Sequence, residues 1–106
     1  MGITTSIALS GLLASAVKFV TAANNIANAQ SENYQARDVE TVSSVDGVEA
    51  IVTERPLNAL FPFLPNVNLD EELVTSQVAA QAYKANATVI GIDKDLHETL
   101  IDVLSD

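Results

Sequence analysis

The chain has 106 residues, the size of one domain, and is 48% hydrophobic but only 5% aromatic. Its formal net charge is −9, which excludes the basic surface of a nucleic-acid-binding protein and disfavours contact with anionic membranes. There is no cysteine, so disulfides and thiolate metal sites are excluded. Because much of the apolar content is alanine, the composition favours thin, closely packed helices, and we predict a single domain over residues 1–106.

A helix is predicted over residues 4–29. Its apolar residues alternate at spacings of three and four, which is a heptad-like pattern, at Leu9, Leu12, Ala16, Phe19, Ala23 and Ile26. No acid precedes Glu32, and Lys18 is the only charged residue before it, so we expect this helix to be buried against a partner. Gly11 is its expected weak point. The segment is interpreted as neither a transmembrane helix nor a cleaved leader, since it carries Lys18 and lacks a basic start.

A small β insert and a loop are predicted over residues 32–65. Asp46-Gly47 lies between runs rich in valine and threonine, which indicates a hairpin with a type I′ turn and Val45 facing Val48. "RPLNALFPFLPN" follows and contains all three prolines, so it is predicted to be an extended apolar loop. Phe61 and Phe63 there are either core residues or contacts to another subunit.

A second helix is predicted over residues 68–104, about 50 Å long at 1.5 Å per residue. Asn68 with Glu71 fits a capping box, and the acids at 70–72 suit the positive end of the helix dipole. Its heptad positions are Val78, Ala82, Ala85, Val89, Ile92, Leu96 and Val103. The predicted fold is therefore mainly α with a small β insert: two long terminal helices packed as a coiled-coil-like pair, joined by a β-hairpin and a Pro-rich loop.

The sequence gives little reason to expect catalysis, a cofactor or a metal. His97, the one histidine, lies four residues after Asp93, which at helical spacing offers two ligands where a metal site normally needs more. Asp70, Glu71 and Glu72 are explained by the helix dipole without any acid–base role. No phosphate-binding loop or nucleophile motif is present. We predict that the protein is not an enzyme.

Three asparagines near the end of the first helix need an explanation, because asparagine is unfavourable in helix interiors. Asn24, Asn25 and Asn28 share one strip at helical spacing. We interpret them as buried and hydrogen-bonded across helices, where asparagine fixes register at a cost in stability. Ala85-Asn86 on the second helix is the predicted facing partner.

The two ends of the chain resemble a known family. "SGLLASAVKFVTAANNIANAQSENYQAR" is similar to the N-terminal motif of bacterial flagellar rod, hook and hook-associated proteins, and "PNVNLDEELVTSQVAAQAYKANATVI" to their C-terminal motif. The short insert is most like that of a proximal-rod subunit. Ser31 stands where the family has threonine, and Asn33 where it has glycine, although asparagine tolerates left-handed backbone.

The resemblance implies a structural subunit of the flagellar basal-body rod that assembles through its terminal helices into a tubular axle and transmits motor torque. It implies partners in other copies, other rod subunits and the flagellar type III export apparatus, with export to the periplasmic rod without a cleaved signal peptide and without membrane insertion. The implied assembly residues are Asn24, Asn25, Ile26, Asn28, Tyr34, Asn66, Glu72, Tyr83, Ala85 and Asn86, to which the heptad pattern adds Val89 and Ile92. The alternatives are a coiled-coil adaptor or chaperone-like module that does not polymerise, and a metal protein using His97 and Asp93.

Overall fold

The structure is a computed structural model, and it describes residues 2–105. Its elements are α1 (Ile3–Ala27), β1 (Arg37–Ser44), β2 (Gly47–Glu54) and α2 (Leu69–Ser105), in that order. The two helices lie antiparallel, with Thr5 beside Asp93 and Gly11 beside Asn86, and the strands form one two-stranded hairpin, so the predicted fold class is confirmed. The molecule is a rod with principal extents of 71 × 24 × 14 Å.

The helices differ in length, and one end of α2 therefore extends past α1. The α2 helix begins after Asn68, whose side-chain oxygen accepts hydrogen bonds from the backbone N–H of Asp70 and of Glu71, as a cap does. At the other end, the Thr5 hydroxyl donates to the Asp93 carboxylate close to the start of α1. Residues 94–105 of α2 continue beyond that contact, and we call them the overhang.

The seam between the helices consists of small and polar side chains. Buried positions of α1 are Thr5, Ala8, Ala14, Ser15, Ala22 and Asn25, and those of α2 are Glu72 and Ala79. The predicted heptad seam is wrong: Leu9 and Phe19 on α1 are about half exposed, as are Val89 and Ile92 on α2. Helices whose backbones approach closely accept small side chains at the contact, so the large residues are turned outward.

Gly11 marks the close approach of the two helices. A Cβ placed on Gly11 would lie 2.8 Å from the Asn86 Oδ1 atom, so the glycine makes room for this side chain. Gly11 is therefore a packing position of the seam and not a weak point. Gly91 on α2, by contrast, has open space around it and lies within continuous helix.

The hairpin differs from its prediction by one residue at the turn. Ser44 pairs with Gly47 and Ser43 with Val48, so Val45 and Asp46 form the turn. Neither turn residue has positive φ, which excludes the predicted type I′ turn, and Val45 is 97% exposed instead of facing Val48. The hairpin packs on α1, where Val48 donates its backbone N–H to the Ser10 hydroxyl, 3.1 Å away.

The Pro-rich loop remains open to solvent. Phe61 and Phe63 meet edge to face with ring centres 6.2 Å apart, yet each is about half exposed. Leu60 is 82% exposed at the tip of a turn that Asn58 stabilises by accepting the backbone N–H of Leu60. The two phenylalanines are therefore not core residues of this chain. Of the two alternatives from the sequence, contact with another subunit remains a prediction.

Candidate assembly site

Asn25 lies at the centre of the connection between α1 and the hairpin. Its side chain is 1% exposed and is the largest fully buried side chain among residues 2–105. Its Oδ1 atom accepts the Tyr34 hydroxyl at 2.7 Å and the backbone N–H of Arg37 at 3.1 Å, while its Nδ2 donates to the Arg37 carbonyl at 2.9 Å. One asparagine thus ties the end of α1 to the first residue of β1, and all of its polar atoms are used.

Asn66 does the same for the two ends of the insert. Its side-chain oxygen accepts the backbone N–H of the fully buried Ala36 at 2.6 Å. Its Nδ2 donates to the carbonyls of Arg55 and Pro56. The segment entering the hairpin and the segment leaving it are therefore held together by a side chain from the end of the Pro-rich loop, shortly before α2. An amide side chain suits this position because its partners include both a backbone N–H donor and backbone carbonyl acceptors.

Arg55 connects the hairpin to α2. Its guanidinium donates to the Asp38 carboxylate at 2.6 Å and to the Glu72 carboxylate at 2.8 Å, and Glu72 is only 4% exposed. The hydrogen bond to Asp38 raises the pKa of Arg55 above its already high value; burial opposes this, and the hydrogen bond to Glu72 adds to it. Because this pKa lies far above the accessible pH range, Arg55 stays charged throughout it, and its own titration does not make the free energy of unfolding depend on pH there.

We call these groups together the joint: Asn25, Tyr34, Asp38, Arg55, Asn66 and Glu72. Asn33 lies directly before Tyr34 of the joint and has a φ of 61°. This is the left-handed conformation that the sequence suggested asparagine could adopt in place of glycine. Its backbone N–H donates to the Phe63 carbonyl at 2.8 Å, which fixes the loop to the end of α1. The joint therefore sets how the helices, hairpin and loop are arranged relative to one another.

The interpretation of a buried strip of three asparagines is confirmed for the burial of Asn25 and is wrong for the strip as a whole. Asn24 is exposed, Asn28 is half-buried, and the partners of Asn25 are in the hairpin connection and not on the other helix. Asn28 donates to the Asn24 carbonyl and accepts the Ser31 hydroxyl, so it closes the end of α1. Asn86 packs on Gly11, far along α1 from this region, and Ala85 is exposed. The antiparallel register excludes the predicted facing partner.

Each helix also carries an outward row of large apolar side chains, which we call its outer stripe. On α1 it is formed by Leu9, Leu13 and Val20, which are 45–60% exposed at spacings of four and seven. On α2 it is formed by Val78, Val89, Ile92, Leu96 and Val103, exposed by 40–66%. These spacings put each row on one face of its helix, and no element among residues 2–105 covers either row. Such continuous exposed rows indicate contact with other molecules.

A shallow apolar groove runs between the outer edges of the helices. It holds about 290 Å³ and is lined by Ala16, Phe19, Val20, Ala80, Tyr83 and Lys84. Tyr83 is 42% exposed at its rim, at the edge of the helix pair. An apolar side chain from a neighbour fits a groove of this kind better than a polar ligand does.

By length and composition α1 could cross a membrane, contrary to the sequence interpretation, with 25 residues and a window of mean hydropathy 1.6. In the folded chain, however, its neighbour along the whole length is α2, which carries Lys84, Asp93 and Lys94. Moving α1 into lipid in this arrangement would take those charges with it, at a cost of several kcal/mol, about 2.5–3.5 for each at the membrane centre. The apolar surface of α1 therefore suits a protein partner in this fold.

The overhang is the least covered part of the molecule. Leu96, Leu100 and Leu104 are 64%, 56% and 76% exposed along it. His97 lies among them and Asp93 accepts the Thr5 hydrogen bond. Among the residues that the structure describes, no three histidine or carboxylate side chains come together as metal ligands.

The sequence-predicted residues fall into two groups. Asn25, Tyr34, Asn66, Glu72 and Asn86 make contacts inside the chain, and Asn28 and the half-buried Ile26 lie at the end of α1. Asn24, Tyr83, Ala85, Val89 and Ile92 face outward. Sequence reasoning missed Arg55 and Asp38. The available signal for Arg55 was its position directly after the second predicted strand and directly before Pro56.

One comparison with known proteins identifies the C-terminal part of the chain. Residues 64–103 match the family described as "Flagellar basal body rod FlgEFG protein C-terminal". No curated protein matches the chain. The matched segment contains α2 except for its last two residues, and it also contains Asn66 and Glu72 of the joint. The match covers less than half of the chain, and it supports the resemblance to the flagellar basal-body rod family and a structural role in the rod at the basal body.

Proposed function

We propose that this chain, a member of the flagellar basal body rod family, is a subunit that assembles through the outer stripes of α1 and α2 into the tubular axle. The observation that carries the proposal is the exposure of the large apolar residues on both helices, while the seam inside the chain is made of small ones. A helix pair built this way has used its small-residue faces for folding and kept its large-residue faces for neighbours. The family match supplies the assembly in which such neighbours exist.

The joint has a supporting role in the same proposal. Because Asn25, Asn66 and Arg55 fix the hairpin and loop against both helices, every copy presents the same surface to its neighbours. Identical surfaces are what a helical array requires, since a heterologous contact that does not close repeats along a filament. We therefore assign the joint residues an indirect part in assembly, through the shape of the subunit.

Three further parts of the proposal are supported by the family resemblance. The axle transmits torque from the motor, the partners include other rod subunits, and the flagellar type III apparatus exports the chain without a cleaved signal peptide. The net charge of −9 adds a physical expectation. Like-charged subunits repel each other at low ionic strength, so added salt should favour assembly.

The test is a charge placed on the outer stripe of α2. Val89→Asp should abolish assembly and swimming, because burying an unpaired carboxylate between subunits is unfavourable. The stability of the monomer should change by less than about 0.5 kcal/mol, since Val89 is on the surface of the isolated chain. Swimming is measured in soft agar and protein level by immunoblot. Ala87→Asp is the matched control, because Ala87 is exposed on the same helix but off the stripe.

Normal motility of the Val89→Asp strain would remove the proposal. The adaptor alternative makes a different prediction for the purified chain. An adaptor forms a dimer of fixed size at all salt and protein concentrations, whereas a rod subunit forms larger assemblies as either is raised. Sedimentation velocity and electron microscopy distinguish the two.

A further inference from the structure

We propose that the overhang of one copy is covered by the Pro-rich loop, residues 56–68, of a second copy stacked head to tail. This inference rests on the proposed function and names the surfaces of one contact in it. The two surfaces lie at opposite ends of α2, since the loop adjoins the start of the helix and the overhang is its end. Each surface is apolar and exposed.

The overhang continues the surface on which α1 already lies. Asn86, Ile90 and Asp93 follow heptad spacing along the seam of α2, and His97, Leu100 and Leu104 continue that spacing past the start of α1. Leu100 and Leu104 are 56% and 76% exposed there. A packing surface of the helix pair therefore extends over about three turns without a cover from residues 2–105.

The uncovered surface is also broad. Leu96 and Val103 belong to the outer stripe of α2 and lie next to Leu100 and Leu104 around the helix. Together they span more of the helix circumference than one facing helix covers in a two-stranded contact. A wide apolar cap suits this surface better than a single helical stripe does.

Charge selects among the possible covers. The overhang contains Asp95, Glu98 and Asp102 against the single Lys94, so two overhangs placed side by side would repel. Its end also carries the negative pole of the helix dipole, with no basic residue in the last turn. Residues 56–68 contain no charged side chain. The loop is therefore a compatible partner and a second overhang is not.

The shape and position of the loop agree with this assignment. Leu60 projects with 82% exposure, and the edge-to-face pair of Phe61 and Phe63 stands beside it. The hydrogen bond from the Asn33 backbone N–H to the Phe63 carbonyl holds the loop at the end of the molecule that contains the joint. The loop therefore has a fixed position in each copy. If a second copy is placed in the same orientation, with its α1 on the extended axis of the first copy's α1, the end of the second copy that contains its joint and loop lies beside the overhang of the first copy. The contact is heterologous and repeats along the axis.

Cysteine cross-linking tests the contact directly, because the natural chain has no cysteine. The full chain carrying both Leu60→Cys and Leu100→Cys is oxidised with a mild oxidant under conditions where the wild type self-associates. It should give a ladder of dimers, trimers and larger species on a non-reducing gel, at least about tenfold more abundant than in Val45→Cys/Leu100→Cys. Val45 is the control because it is 97% exposed at the hairpin turn, away from the loop.

Each other outcome overturns the inference in a distinguishable way. A dimer from Leu100→Cys alone would mean that overhangs pair with each other. A ladder from Leu13→Cys/Leu100→Cys, without one from Leu60→Cys/Leu100→Cys, would mean that the outer stripe of α1 is the cover; the proposed function would then stand and this contact would fail. A wild-type chain that stays monomeric at all salt and protein concentrations would remove the proposed function and the inference together.

The charge argument gives a second and independent measurement. Leu60→Glu should weaken self-association by at least about tenfold, because it places an acid against the acidic overhang. Leu60→Lys should weaken it several-fold less, since the overhang has a net negative charge and carries the negative pole of the helix dipole. Sedimentation equilibrium at low and high salt measures both. Equal losses for the two variants would contradict the overhang as the partner, and unchanged association for both would exclude the loop from the interface.

Discussion

The inward and outward faces of the two helices are built from opposite kinds of residue. Inward, the buried apolar residues among residues 2–105 are all alanines, and the other buried side chains are Thr5, Ser15, Asn25 and Glu72. Outward, the helices expose leucine, valine, isoleucine and phenylalanine. In most monomeric proteins the large apolar residues are inside. Here the order is reversed.

This difference separates two sources of stability. Small and polar groups inside the chain fix register and direction through hydrogen bonds, but they bury little apolar area, which is the main stabilising contribution in most folds. The larger apolar area lies on faces that only another molecule can cover. The chain therefore specifies its own shape, and in the proposed assembly much of the hydrophobic stabilisation would come from contacts between subunits. Three matched pairs of substitutions test this division, each comparing an inward residue with an outward residue of the same or similar chemistry.

The largest effect is expected for the inward ion pairs. Arg55→Ala leaves the Glu72 carboxylate buried without its cation, which should lower the free energy of unfolding by about 3 kcal/mol. Lys94→Ala removes the outward pair with Glu98, which has a separation of 3.8 Å and both side chains more than 60% exposed. That change should cost less than about 0.5 kcal/mol. Urea unfolding followed by circular dichroism measures both.

A second substitution shows whether the buried charge causes the loss. Glu72→Gln added to Arg55→Ala should restore part of the stability, because it removes the uncompensated carboxylate. If the double variant is as unstable as the sum of the single ones, Arg55 stabilises the joint through its backbone contact to Asn66 and not through Glu72.

The next pair compares two adjacent asparagines. Asn25→Ala leaves the Arg37 backbone N–H and carbonyl and the Tyr34 hydroxyl without their partner, and should cost about 2 kcal/mol. Asn24→Ala changes an exposed residue and should stay within about 0.5 kcal/mol. Thermal unfolding of both variants measures the difference. Equal losses would mean that the two side chains have equivalent surroundings and would contradict the inward position of Asn25.

The elements of this fold could be predicted from the sequence because they depend on local signals. Apolar periodicity predicted both helices to within a few residues, Asp46-Gly47 indicated a hairpin although not its turn residues, and Asn68 marked the start of α2. These signals act within a few residues of where they are read.

The faces could not be predicted in the same way. Periodicity shows that a helix has an apolar stripe but not which molecule covers it. A heptad pattern is the same whether the partner helix belongs to the same chain or to another one. The actual seam, with Gly11 against Asn86, has too few large residues to stand out in the sequence. Asp38 and Arg55 of the joint were missed for a related reason: Asp38, Arg55 and Glu72 are separated by 17 residues each and meet only when the hairpin closes.

The third pair compares two glycines within helices and carries the smallest change in stability. Replacing glycine by alanine in a helix interior normally stabilises it by about 1 kcal/mol. Gly91→Ala should show this gain, since a Cβ there meets nothing within 4 Å. Gly11→Ala should not, because its Cβ would press on the Asn86 side chain and disturb that side chain's hydrogen bond to the Ala82 carbonyl. Adding Asn86→Ala to Gly11→Ala should recover most of the missing gain, because the added methyl then has space. Melting temperatures of the four chains measure the comparison, and an equal rise for Gly11→Ala and Gly91→Ala would show that the helices do not approach closely at this point.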